Sequence, residues 1–274
     1  MRRALDLLFV GALVLALTFL CLPLLAIFLR VSPETLVRQL GSEVAIDALV
    51  VSFKTSLIAH VFILGVGTPA AYVLATKRFR GRRLVVALVE LPLVLPPAVA
   101  GLALFAALGQ RGLLGETLDV FGISVPFTQA AVVLAVVFVA SPFYLRQAIA
   151  AFEAVDPNLL EAARTLGVHR LEAFRRVALP LAAGGLGAGS ALAWARGLGE
   201  FGATIMFAGS LQGVTQTLPL AVYGQLADDF DVALAIGAFL VVVSGAVLVV
   251  VKFLPSWSTF ASIFPSRSAP SGSS

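Results

Sequence analysis

Arg196 and Glu200 stand four residues apart among Gly197, Gly199 and Gly202, inside a stretch that is otherwise apolar. A guanidinium in such surroundings could lend positive potential to an anion's route, with the glycines allowing close packing or a bend. The same spacing suits an internal ion pair on one helix face, in which the carboxylate cancels much of that potential. Glu90, beside Pro92 and the Pro96-Pro97 pair, reads as a capping or interfacial residue near a kinked helix ahead of a transport role. His60 sits in an apolar run without an identifiable partner, which favours a packed or hydrogen-bonded imidazole over a proton relay. No Gly-rich run ends in Gly-Lys-Ser or Gly-Lys-Thr to cradle nucleotide phosphates. Neither a Cys/His zinc constellation nor a nucleophile with its base can be recognised. The chain is therefore expected to be non-catalytic, with no metal or cofactor of its own.

A second constellation is a charged island, residues 161–180, which reads EAARTLGVHRLEAFRRVALP. Just ahead of it Asp156 can cap a helix whose first residue is Pro157, because the carboxylate accepts from free amides and proline has no amide hydrogen to lose there. Gly167 can end that helix in a left-handed conformation. Between them Leu159, Leu160, Ala163 and Leu166 share one face at helical spacing, with Glu161 and Arg164 at its margin or beyond. Leu171, Phe174 and Val177 follow three apart, and Pro180 is expected to open the next apolar helix. Such an amphipathic helix could enter a groove of a partner protein, fold back on its own chain or lie at a lipid surface.

The elements that must carry these residues are apolar. With 59% hydrophobic and only 12% charged residues and a mean hydropathy of +1.01, the chain departs far from soluble domains, which are about 25% charged. Six runs, roughly 5–29, 56–76, 84–108, 127–150, 181–208 and 232–254, are long enough to cross about 30 Å of hydrocarbon as helices. Their continuous apolarity excludes a barrel, whose strands would alternate. The fold class is an all-α polytopic membrane protein with six transmembrane helices. The first run is too long for a cleaved signal and lacks a small-residue cleavage site, so an uncleaved first helix is expected. Its Cys21 is the single cysteine, which excludes an intrachain disulfide.

Lys and Arg gather on one side if six helices alternate: Arg2 and Arg3, the turn 77–83, Arg146, Arg164, Arg170, Arg175, Arg176, Lys252 and Arg267. That side is expected to be cytoplasmic, together with both termini. The other keeps Arg30, Arg38 and Arg111 beside more numerous carboxylates, including Asp228, Asp229 and Asp231. This bias accounts for the net charge of +4, and no separate basic domain is present to bind nucleic acid. The segment 255–274, rich in Ser and Pro, is expected to be a mobile cytoplasmic tail.

The charged island resembles the signature of permease subunits of bacterial ABC importers. The matching residues are Glu161, Ala162, Ala163, Gly167, Val177, Leu179 and Pro180, with Val177 where the family more often has Ile. Ser56, Leu57, Gly67, Pro69, Tyr72, Leu74 and Ala75 resemble the opening of the type-1 transmembrane domain. ELPLVLPPAVAGLAL and ARGLGEFGATIMFAGSLQGVTQTLPLAVY are similar to the molybdate permeases of the group that handles tetrahedral oxyanions; sulfate and thiosulfate permeases share much of this pattern, and tungstate is nearly identical to molybdate in size and charge. The resemblance implies a type-1 permease domain over 52–254, preceded by a first helix and external loop at 1–51. It implies ATPase coupling through Glu161, Ala162, Ala163, Gly167, Leu179 and Pro180, with ATP and Mg bound by separate ATPase subunits. An extracytoplasmic oxyanion-binding protein, a second permease copy in a homodimer, and the lipid of a bacterial or archaeal cytoplasmic membrane complete the implied partners. A stand-alone secondary transporter or channel would need ion-coupling residues at the midplane, for which only Arg196, Glu200, Glu90 and His60 are candidates.

Overall fold

The computed structural model describes residues 2–253. The expected tail 255–274 and Arg267 lie outside the described residues. Thirteen helices follow in order: α1 (Arg2–Arg30), α2 (Pro33–Leu40), α3 (Glu43–Thr76), α4 (Arg82–Val94), α5 (Pro97–Leu108), α6 (Gly115–Val120), α7 (Gln129–Glu153), α8 (Pro157–Thr165), α9 (Arg170–Ala173), α10 (Leu179–Leu198), α11 (Gly202–Ala208), α12 (Leu218–Asp228) and α13 (Phe230–Phe253), with a π turn at Phe174–Ala178 between α9 and α10. No strand occurs among the described residues. Among the described residues five helical segments are long and apolar enough to cross a membrane, and a sixth span is counted if α4 and α5 are taken together.

Three of the six runs are organised differently from the expectation. The loop placed before residue 52 is largely helical: α2 fills part of it and α3 begins at Glu43. At 34 residues, α3 is about 51 Å long at 1.5 Å per residue, well beyond the hydrocarbon thickness. The third run is not one continuous helix, because α4 ends at Val94 and α5 starts at Pro97. Pro97 opens α5 and its preceding residue is sterically driven out of the helical region, so the chain turns there. The fifth run breaks after Leu198 and resumes at Gly202.

The chain divides into two compact units. In the unit made of Met1–Ala59, Leu95–Val139 and Gly197–Ala246, Ala45 and Ala48 of α3 pack with Leu218 and Ala221 of α12 and with Val232 and Ile236 of α13. The buried Ser52 hydroxyl accepts the Leu218 amide at 2.8 Å, which satisfies one free donor at the start of α12. A second cluster joins Ala100 of α5, Ala135 and Val139 of α7 and Ala203 of α11. By contrast, the apolar window of α1 buries nothing against the chain, and Cys21 on it is exposed. A helix apolar all round and unburied by its own chain leaves that surface for lipid or another protein.

In the unit made of His60–Val94, Ala140–Arg196 and Val247–Ser274, small residues set the distance between α7 and α10. A methyl group on Gly185 would lie 2.5 Å from the Ala151 Cβ, and one on Gly189 would lie 2.9 Å from the Gln147 Cβ. These two glycines, four apart, thus face a helix of their own chain, while a Cβ on Gly187 would meet nothing within 4 Å. Thr68, next to Pro69, donates to the Leu64 carbonyl at 2.6 Å and shares a 2.6 Å hydrogen bond with the Tyr144 hydroxyl. Polar groups beside the intrahelical proline are thereby satisfied without water. His60 is hydrogen-bonded, its Nε2 lying 2.7 Å from the Ser190 Oγ.

Replacing Gly185 by Val should destabilise the protein by about 1–3 kcal/mol, the usual cost of forcing side-chain atoms into a packed interior, whereas Gly187→Ala should leave stability unchanged or slightly raised. Thermal unfolding of the two purified variants in detergent checks this. Equal melting temperatures for wild type and Gly185→Val would contradict the assigned α7–α10 contact.

Candidate functional site

The helix that carries Glu161, Ala162 and Ala163 forms for local reasons. Asp156 accepts the Asn158 amide through Oδ1 at 2.9 Å and Pro157 takes the first position. At the other end Gly167 has φ +78°; its amide donates to the Arg164 carbonyl at 2.9 Å and the Val168 amide donates to the Ala163 carbonyl at 3.0 Å. This pair of bonds closes α8 with the turn that needs a left-handed residue. The expected single apolar face is divided in two. Leu160 and Ala163 are buried, but Leu159 is 47% and Leu166 is 83% exposed. In the next segment Leu171 is 60% exposed, while Phe174 turns inward and packs against Tyr72 and Phe152, with ring centroids 4.7 and 6.1 Å away. The island therefore holds to its own chain by one edge and presents Leu159, Leu166 and Leu171 outward beside exposed Glu161, Arg164 and Arg170.

Leu179 and Pro180 stand at the start of α10, as expected, but the helical path does not begin there. The helical path starts at Arg170, passes through the π turn at Phe174–Ala178 and runs to Leu198. The Leu179 amide reaches the Phe174 carbonyl five residues back, and Pro180, which cannot donate, follows immediately where the hydrogen-bond register has shifted. A π turn inserted here absorbs the proline without ending the span.

Two residues that hold this region together were not singled out from sequence. Arg82 donates through Nε to the Leu74 carbonyl at 2.5 Å and forms a salt bridge with Glu153. It thereby satisfies one orphan carbonyl at the end of α3 and ties that end to the end of α7. Seen as sequence, Arg82 is one more cation in a basic turn and Glu153 lies 71 positions away, so no local pattern announces the pair. A cavity of about 550 Å³ opens beside it, lined by Lys77, Arg78, Phe152, Glu161 and Arg164 among others. Glu90 pairs loosely with Arg146 at 3.8 Å, with both side chains partly exposed.

Arg196 and Glu200 are not i and i+4 on one helix. Arg196 is half-buried near the end of α10, which stops at Leu198. Glu200 lies in the break, only 2% exposed, and its Oε1 accepts the Ala203 amide at 2.7 Å. The carboxylate thus caps α11, where a negative group meets free amides and the positive end of the helix. Close helix approach explains Gly202, and Gly101 opposite it. A Cβ on Gly202 would stand 2.7 Å from the Pro97 Cβ, and one on Gly101 would stand 2.6 Å from the Ala203 carbonyl oxygen. The short helices α5 and α11, each following a break, are consequently packed backbone to backbone. Thr204 on α11 is fully buried. Among the described residues no His, Cys, Asp and Glu side chains gather into a metal-ligating group.

Comparison with known proteins adds the family. Residues 64–255 match the model of the binding-protein-dependent transport system inner membrane component. The molybdenum transport system permease protein ModB of Mycobacterium tuberculosis is 44% identical over 230 residues, covering 84% of this chain and 87% of that protein. The sulfate transport system permease protein CysT of Salmonella typhimurium is 35% identical over 250 residues, covering 88% and 90%. In three dimensions the chain resembles a chain of a bacterial ABC transporter involved in the import of the acidic polysaccharide alginate, with a TM-score of 0.70, 18% identity and 96% of both chains covered. At that identity the likeness concerns the fold.

Capping by Glu200 generates a prediction. Glu200→Ala leaves the buried Ala203 amide without its acceptor, a loss of about 1–3 kcal/mol, whereas Glu200→Gln retains a side-chain carbonyl and should recover much of it. Thermal unfolding of both variants is the measurement, and equal destabilisation by Gln and Ala would remove the cap from the account.

Proposed function

We infer the role of this chain from the family to which it belongs, the binding-protein-dependent transport system inner membrane components, and propose that it is the permease subunit of an ABC importer for molybdate. The observation that carries this reading is the 44% identity, over 84% of the chain, with a molybdenum transport system permease. The chain supplies a membrane path and no catalysis. ATP and Mg are bound by separate ATPase subunits, an extracytoplasmic protein delivers the oxyanion, and a second copy of the chain completes the pathway in the cytoplasmic membrane. The basic turn 77–83, α8 and both termini face the cytoplasm, in keeping with the distribution of Lys and Arg.

In this reading α8 is the coupling element. Leu159 and Leu166 offer apolar knobs beside Glu161 and Arg164 to a groove on the ATPase, a helix-in-groove contact. The Gly167 turn and the inward Leu160–Ala163 edge keep the helix rigidly attached to the permease. Closure of the ATPases moves α8, the permease opens outward, the anion enters, and hydrolysis resets the path. Leu179 and Pro180 serve by carrying this motion through the π turn into α10. Arg196 lends positive potential to the anion's route, while Glu200 is structural and holds α11 in place.

Reconstituted vesicles containing the permease, its ATPase and the binding protein should accumulate molybdate when ATP is supplied; accumulation of sulfate but not molybdate would transfer the assignment to a sulfate permease. Leu166→Glu and Gly167→Val should each weaken ATPase association about tenfold or more, since one buries a charge in the groove and the other strains a left-handed residue. Exchange of Arg196 and Glu200 for each other should stay defective in uptake, because a guanidinium cannot cap α11. Wild-type uptake in the exchanged variant would restore the reading of a simple ion pair.

A further inference from the structure

We propose that the cavity beside α8 is a binding site for a phosphate group, carried by an acidic phospholipid. The cavity measures about 550 Å³ and its wall includes Lys77, Arg78, Arg82 and Arg164 against Glu153 and Glu161. Arg82 and Glu153 neutralise each other. Lys77, Arg78 and Arg164 enter no ion pair among the described residues, so three cations face one remaining carboxylate. Like charges held around one hollow repel, and an anion between them relieves that repulsion. Arginine presents donors in a fork that matches phosphate oxygens, and lysine adds a compact point charge. The volume lies within the range of small-ligand sites.

The position of the hollow favours a lipid over a free anion. It lies at the end of α3 and the start of α4, and the adjoining Phe79 and Leu84 are 44% and 65% exposed, an apolar surface on which acyl chains can lie. Basic pockets at the ends of membrane helices suit anionic headgroups. Arg82 makes the wall firm, since it is already fastened to the Leu74 carbonyl and to Glu153. Arg80 shares the basic turn but does not line the cavity, so it separates a shaped site from general surface charge. Glu161 and Arg164 belong to α8, and an occupant would touch the segment proposed to dock the ATPase; that consequence rests on the proposed function, whereas binding itself does not.

The test uses the full chain in nanodiscs of mixed phosphatidylcholine and phosphatidylglycerol, with retained lipid counted by native mass spectrometry after release into detergent. Wild type should retain phosphatidylglycerol preferentially. Lys77→Gln and Arg78→Gln should each reduce that retention about fivefold, the worth of one basic residue near an anionic surface, and Arg80→Gln should leave it unchanged. Inorganic phosphate should compete with the retained lipid in wild type. Phosphate binding without any preference for phosphatidylglycerol would uphold the phosphate chemistry and overturn the lipid as its source. Equal losses in Arg78→Gln and Arg80→Gln, or no binding of either probe, would overturn the site. Retention by Arg78→Lys distinguishes lost charge from lost fold, and none of these readouts requires an ATPase.

Discussion

Every break in a helix surrounded by apolar material exposes amides and carbonyls that no water will satisfy, and the placement of polar side chains in this protein follows from that requirement. The break after Leu198 is the clearest case. Glu200 turns its carboxylate onto the Ala203 amide, Gly202 lets α11 approach Pro97, and Gly101 lets α5 approach the Ala203 carbonyl in return. The beginning of α12 repeats the logic with the Ser52 hydroxyl. Remove these partners and the backbone amides they satisfy are left buried without an acceptor.

Continuity matters equally at the other kind of junction. From Arg170 to Leu198 the backbone remains helical through a π turn, which is the continuity the proposed coupling role requires. The aromatic contacts of Tyr72, Phe152 and Phe174 and the Arg82–Glu153 bridge fasten that rod's base to α3 and α7. Rigid attachment on one edge and exposed leucines on the other are the properties an element needs if it is to carry force between two proteins.

A carboxylate at the break also bears on how an anion could cross. Glu200 neutralises the positive end of α11 and leaves that end unsuited to hold an oxyanion. If Arg196 borders the route as proposed, transient passage past a half-buried guanidinium is compatible with rapid release, whereas a charged trap would slow it.

Residues near one another in sequence declared themselves without coordinates. The apolar runs mark a polytopic helical membrane protein, because each must be buried in hydrocarbon or protein; Asp156 with Pro157 and Gly167 bound α8, because caps are interactions between neighbours. That Gly185 and Gly189 face α7 is visible only in the fold. Hydropathy alone continued the fifth run to Ala208 and the third across Pro96, since a capped break and an unbroken span are equally apolar. The division of the α8 leucines into inward and outward, the Arg82–Glu153 tie and the capping role of Glu200 were decided only by tertiary structure. The first two depend on which distant part of the chain lies against the side chain, a property of packing that no local spacing contains; Glu200 and Ala203 are neighbours in sequence, and what local spacing did not show there is that the helix breaks between Leu198 and Gly202.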